Sequence, residues 1–174
     1  AGWAQAIRYK AEVLREQDRG NIALVLGGDA SCATGGFWSA LTIATTQKLP
    51  LLFYVEDNGY GISVPSTYQT PGQDLAANLA AFKDLAIFNG DGTEPVEASR
   101  LIDAAVAHVR SGRGPALLRL TVPRLEGHSY QDTQTYKSEQ VIAAEWARDP
   151  LPKLKAHVAA RQIGDEAWAA LSQE

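Results

Sequence analysis

The chain has 174 residues, 45% of them hydrophobic and 21% charged, which suits one soluble domain with a single core. A net charge of −4 and a pI near 5.4 argue against nucleic acid as a bulk electrostatic partner. No run approaches the roughly 18 apolar residues that a membrane span needs. The single Cys32 excludes an internal disulfide and a cysteine-based zinc site.

The chain contains no Met and opens at "AGWAQAIRYKAEVLRE", where Trp3, Ile7, Ala11 and Leu14 recur at helical spacing. A start close to or inside a helix is expected of a fragment or processed piece. Next, "NIALVLGG" (21–28) is a short apolar run closed by glycines and reads as a buried strand. "GFWSALTIATTQKL" sets Phe37, Ala40, Leu41, Ala44 and Lys48 on one helical stripe, and "LLFYVE" (51–56) after Pro50 is a second strand. A polar loop runs from 57 to about 74, followed by a short helix over 75–83 and a third strand at "LAIFN" (85–89). Thr93 is placed to cap the helix "EPVEASRLIDAAVAHVRSG", which Gly112 and Gly114 terminate before a fourth strand, "PALLRLTV". From Ser138 onward the tail is helical, interrupted at "RDPLP" and at Gly164.

Strands separated by helices of this length predict an α/β fold with three layers, a mostly parallel sheet carrying helices on both faces. Residues 1–137 would form that sheet domain and 138–174 a helical extension packed on it. The unit over 21–56 is a right-handed βαβ crossover, so Asp29 and Asn58 each follow the carboxyl end of a strand. Adjacent parallel strands would bring those ends about 4.8 Å apart, or about twice that with a strand between. Ligands of open α/β sheets bind at that edge. An Asp oxygen and an Asn amide oxygen there can converge on a hard cation such as magnesium, which completes its octahedron with water and phosphate oxygens. The small residues of "DASCATGG" leave the backbone open before the next helix, whose N-terminal N–H groups favour a phosphate. Neither a P-loop nor a G-x-G-x-x-G fingerprint is present. On the residues alone, an ordinary turn after a strand stays open as the reading of Asp29.

The pair "GDA…EDN", with its context "KLPLLFYVEDNGYGIS", resembles the G-D-G…N-N fingerprint of thiamine-diphosphate enzymes. Over almost its whole length the chain resembles the C-terminal part of the alpha subunit of 2-oxo acid dehydrogenases of the pyruvate and branched-chain type. The similarity runs through "GDGTEPVEASRLIDAAVAHVRSGRGPALLRLTVPR", "GHSYQDTQTYKS" and "WARDPLPKLKAHV". The family's N-terminal region would lie outside this sequence.

The resemblance implies a thiamine diphosphate-binding fold with thiamine diphosphate and Mg2+ as cofactors. Asp29 and Asn58 would bind the metal through their side chains and Tyr60 through its backbone carbonyl. Backbone of Gly28, Ala30 and Ser31 would lie near the diphosphate, Ile62 near the cofactor rings, and His128 near the diphosphate and the reacting centre. Arg124 and Asp132 would brace the His128 loop. The implied reaction is oxidative decarboxylation of a 2-oxo acid, with the acyl group passed to the lipoyl group of a partner acyltransferase. A beta subunit or fused beta domain would supply the other half of the site, so this chain should be inactive alone. The compartment would be the bacterial cytoplasm or the mitochondrial matrix. Acetoin dehydrogenase, another thiamine enzyme and a non-catalytic fragment of the fold are the alternatives. Three residues depart from the family pattern: Ala30 stands for the second glycine, Asp57 for the first Asn, and Glu126 for a frequent His. Cys32 is expected to be a small buried thiol, and His108 and His157 to be structural or exposed.

Overall fold

The computed structural model describes residues 1–17, 20–161 and 163–171. Helix α1 (Gly2–Glu12) leads to strand β1 (Ala23–Gly28), which turns through a 3-10 segment (Asp29–Ala33) into α2 (Gly35–Thr46) and returns as β2 (Leu51–Asp57). The polar loop then holds a two-residue hairpin, β3 (Tyr60–Gly61) and β4 (Val64–Pro65), ahead of α3 (Leu75–Leu79). Strand β5 (Ala86–Asp91), helix α4 (Pro95–Arg110) and strand β6 (Ala116–Thr121) complete the main sheet. Helices α5 (Glu139–Trp146), α6 (Pro150–Ala159) and α7 (Asp165–Leu171) follow.

The sheet runs β1-β2-β6-β5, and every neighbouring pair is parallel. Side chains alternate between its two faces, as a pleated strand requires. Leu51, Phe53 and Val55 of β2 and Leu117 of β6 join Ala4, Leu41, Ala44, Leu75 and Leu79 from α1, α2 and α3 in one buried cluster. Leu52, Leu118 and Leu120 point the other way and pack on Leu101, Ala105 and Val109 of α4. Two clusters on opposite faces of one parallel sheet are the three-layer α/β architecture that the alternation of apolar runs predicts. Each fully buried leucine contributes about 1.5–3 kcal/mol to holding the layers together.

Local departures from the expected elements have physical causes. Strand β1 is an edge strand, not a buried one: Leu24, Val25 and Leu26 are 53, 45 and 68% exposed. A continuous apolar run records fitness for cover on both faces, yet the described chain pairs β1 on one side only. Helix α1 buries Ala4, with Ile7 packed beside it, while Trp3 is exposed and Leu14 lies beyond the helix end. Thr93 does not cap α4. Its N–H and hydroxyl both donate to Asp91 Oδ1, at 2.9 and 2.8 Å, and Pro95 starts the helix with Glu94 at the N-cap. Helix α3 stops at Leu79 rather than near 83.

Real side-chain caps open four other described helices: Thr34 accepts from Phe37, Asp74 from Ala77, Ser138 from Val141 and Asp149 from Leu151. The C-terminal helices are tied to the sheet domain by ion pairs, Arg148 with Asp91 at 3.3 Å and Lys153 with Glu94 at 2.6 Å. Among the described residues no helix is long and apolar enough to cross a membrane.

Candidate functional site

The parallel register sets Gly28 of β1 level with Glu56 of β2. The strands are therefore adjacent, and the shorter of the two spacings expected between the Asp29 and Asn58 loops applies. A cleft of about 770 Å³ opens at this carboxyl edge of the sheet. Gly28, Ala30, Ser31, Asn58, Tyr60, Ile62 and His128 all line it. One topological feature, two neighbouring strand ends facing the loop after β6, thus gathers residues that are a hundred positions apart in the chain.

Asp29 alone of the expected site residues is withdrawn from the cleft surface, at 2% exposure. Among the described residues neither of its carboxylate oxygens has a hydrogen-bond partner. Burial, joined by the neighbouring Asp57 charge, pushes its carboxyl up to about 6. Backbone groups of Asp29, Asn58 and Ala30 pull in the opposite direction without completing a hydrogen bond. A buried, unpaired carboxylate is costly, and a cation is the ordinary remedy. On this observation the residues fit a magnesium ion.

The other two expected donors fit as well. Asn58 Oδ1 accepts the Tyr60 N–H at 3.0 Å, which fixes the amide and leaves its oxygen a second lone pair. In the hairpin, Tyr60 faces Pro65, and a proline has no N–H to offer the Tyr60 carbonyl. Among the described residues no cluster of three or more His, Cys, Asp or Glu side chains gathers at a metal position. One carboxylate, one amide and one carbonyl oxygen suit the sparse protein coordination typical of magnesium, and not a zinc or calcium cage.

Ala30, the departure from the second glycine of the motif, is accommodated by a neighbour. A Cβ on Gly61 would stand 2.7 Å from the Ala30 methyl and 2.6 Å from Gln69 Oε1, so glycine at 61 makes the room that alanine at 30 takes up. Ile62 is held at φ 56°, an uncommon conformation for a β-branched residue, with its side chain 60% exposed toward the cleft. The Arg124 guanidinium donates to the Ile62 carbonyl and so restrains this strained position.

The same Arg124 stands 3.6 Å from Asp132, whose Oδ2 accepts the His128 N–H at 2.7 Å and the Tyr136 hydroxyl at 2.9 Å. Those hydrogen bonds hold the Asp132 carboxyl below its ordinary range. The expected bracing pair therefore exists. It fixes the backbone of His128 while the imidazole stays exposed on the cleft wall. Gly127 is required there, because a Cβ would collide with the Asp132 carbonyl.

The open loop expected at "DASCATGG" is instead a 3-10 turn. Its Ser31 hydroxyl donates to Gly28 O at 2.7 Å, and Thr34 caps α2 beyond it. Thr34, Gly36 and Phe37 line a separate cleft of about 260 Å³. Gly28, Ala30 and Ser31 line the larger cleft at the carboxyl edge, whereas the start of α2 lines the smaller one. Cys32 is buried, and burial pushes its thiol up to about 11, which leaves it unreactive at neutral pH. His108 packs edge-on against Phe88, and His157 contacts Arg161.

Sequence reasoning missed three supporting residues. Arg119 lies in the apolar strand β6 and reaches Asp57 at 2.6 Å, both almost fully buried. A lone charge within "ALLRLT" was the available signal, since a buried arginine needs a partner. That pair also accounts for Asp in place of the first Asn of the motif. Lys137 and Gly61 carried no local signal, because their roles arise from contacts with distant segments.

Residues 1–169 match the family described as dehydrogenase E1 component. A pyruvate dehydrogenase E1 component subunit alpha of Porphyra purpurea is 31% identical over 89% of this chain and 45% of its own length. A chloroplastic subunit alpha-3 from Arabidopsis thaliana is 30% identical over 95% of this chain and 38% of its own. The alpha subunit of an acetoin:2,6-dichlorophenolindophenol oxidoreductase from Bacillus subtilis is 30% identical over 68% of this chain and 35% of its own. The chain spans less than half the length of each of these relatives. With its α/β sheet and the residues gathered at the carboxyl edge, the chain belongs to the dehydrogenase E1 component family.

Proposed function

We propose that this chain forms the magnesium and diphosphate side of a thiamine-diphosphate-dependent 2-oxo acid dehydrogenase. The observation that carries the reading is the buried Asp29 carboxylate, without a hydrogen-bond partner among the described residues, beside Asn58 and the Tyr60 carbonyl. Asp29, Asn58 and Tyr60 hold the magnesium ion, and backbone of Gly28, Ala30 and Ser31 faces the diphosphate. When bound, thiamine diphosphate supplies the electron sink for decarboxylation of a 2-oxo acid. Ile62 presents an apolar wall to the rings, and Arg124 keeps it there. His128 offers an exposed imidazole near the diphosphate, on a backbone anchored by Asp132.

The acyl group is passed on to the lipoyl group of a partner acyltransferase. A beta subunit or beta domain completes the site, and this chain alone does not turn over substrate. Calorimetric titration with thiamine diphosphate is the test, run with and without magnesium and with and without the partner subunit. Magnesium-dependent binding that requires the partner is expected; equally tight binding without magnesium overturns the assignment. The acetoin-oxidising relative favours a second reading, in which the same half-site serves an acetoin dehydrogenase. A panel of pyruvate, branched 2-oxo acids and acetoin, offered to the assembled enzyme, separates the two.

A further inference from the structure

The strand-end turn and the His128 loop meet at one side chain outside the expected site. Lys137 has a fully buried side chain, its ammonium 2.6 Å from Glu145 Oε2 on α5. The same nitrogen donates to the Arg124 carbonyl at 3.2 Å and stands 4.7 Å from the centroid of the Tyr60 ring. The Tyr136 ring lies 5.8 Å from the Tyr60 ring, tilted against it. Lys137 therefore touches the turn through Tyr60 and the loop through Arg124, while Arg124 itself reaches the Ile62 carbonyl and Asp132.

Buried ion pairs are a poor way to gain stability, because desolvation cancels much of the attraction. In some proteins they fix geometry instead, because a charge held in a low-dielectric site has few alternative placements. An ammonium over an aromatic face adds a directional attraction that an aliphatic side chain lacks. These facts distinguish Lys137 from a core filler.

We propose that Lys137 is a positioning residue: held by Glu145, its ammonium locks the turn at 60–62 to the loop at 124–132, so that the two order as one unit. The lock is a property of the chain's own contacts. Its use, to present the Tyr60 carbonyl and His128 together to the bound group, rests on the function proposed above.

Hydrogen–deuterium exchange on the protein without added ligand tests the lock directly. Lys137→Met keeps the bulk and removes the charge. It should accelerate exchange in 58–62 and 124–132 together by about tenfold, leaving β2 and β6 protected. Lys137→Arg should restore both segments, and Glu145→Gln should loosen both more mildly. Faster exchange confined to the neighbours of residue 137 overturns the proposal, and so does a uniform rise across the whole chain. Should Lys137→Met not fold, Glu145→Gln with Tyr60→Leu decides the matter by the same segments. Titration of magnesium with thiamine diphosphate into the assembled variants is the second arm. Weaker binding in Lys137→Met, rescued by Lys137→Arg, is expected. Failure of the wild type to bind removes the functional reading and leaves the lock to the exchange data.

Discussion

Two carboxylates at the carboxyl edge of the sheet show how one local environment produces two different parts. Asp29 follows β1, and Asp57 ends β2; both are buried, at 2 and 8% exposure. Asp57 is matched by Arg119 at 2.6 Å and accepts the Gly59 N–H at 3.1 Å. Arg119 extends the network to Asn89 and Asp74, so β2, β5 and β6 and the start of α3 are linked through one guanidinium. Asp29 has no such partner among the described residues. A carboxylate satisfied by the protein maintains the fold; one left unsatisfied keeps its charge for something that binds. The same residue type, one strand apart, is tied into the fold in one case and, among the described residues, left without a partner in the other.

The largest effect should come from breaking the satisfied member. Arg119→Met leaves Asp57 buried and unpaired, and removing one partner of a buried ion pair costs about 3–5 kcal/mol. Urea denaturation of the ligand-free protein measures it. Asp29→Asn should cost far less by the same measurement, because among the described residues its carboxylate oxygens have no hydrogen-bond partner to lose. If the two variants are equally destabilised, the distinction between them fails.

The second effect separates the pair by pH. The Asp29 carboxyl is raised from 3.8 to about 6 in the folded chain, so the native state holds this proton more tightly than the unfolded state. Stability contributed by the protonated form is complete below 3.8 and is lost as pH rises through about 6. A shift of this size corresponds to roughly 2–3 kcal/mol lost by neutral pH. Asp91 and Asp132 shift downward, so their contribution is present above the unfolded value and fades only as pH falls below it. His108, whose pKa burial lowers below 6.5, acts in the opposite direction and adds stability as pH rises toward 6.5, so the fall in stability above pH 4 is the contribution of Asp29, and Asp29→Asn should flatten it. Magnesium with thiamine diphosphate should flatten it too, by holding the carboxylate ionised. Thermal melts across pH 4–8 check both, and a slope unchanged in Asp29→Asn would contradict the assignment.

How much of this was legible in the sequence depended on whether a residue's partner was local. The four strands and their helices follow from apolar runs of period two or near 3.6, and both buried clusters fall on those positions. That Asp29, Asn58 and His128 come to one edge of the sheet was legible because a strand end followed by a polar turn, and a loop of matching motif, are local features. The exposure of β1 was not legible, since an apolar run specifies a strand and not its neighbours. Nor was the role of Arg119, Lys137 or Gly61. Each acts through a contact with a distant segment, Asp57, Tyr60 and Ala30 respectively. Thr93 misled because its hydroxyl found Asp91, two residues back, before it could reach the helix ahead.

The smallest effect tests whether the floor of the cleft beside Asp29 is as tightly specified as the Asp57 network. Gly61→Ala brings two methyl carbons to 2.7 Å across the turn, a distance that van der Waals repulsion does not allow. Overpacking of this kind costs about 1–3 kcal/mol. Part of the crowding involves the Gln69 amide, the far end of a flexible chain that can swing aside; the Ala30 methyl sits on backbone and cannot. Ala30→Gly should therefore rescue Gly61→Ala, with a coupling of about 0.5–3 kcal/mol in a double-mutant cycle, as contacting residues show. The single Ala30→Gly variant should be nearly neutral in denaturation and should not weaken magnesium-dependent binding, because it restores the glycine of the family motif beside the diphosphate backbone. Additive effects in the cycle would mean that the turn moves as a soft loop. Coupling would mean that Ala30 and Gly61 are a matched pair, the close packing on which the placement of Asp29 and Tyr60 depends.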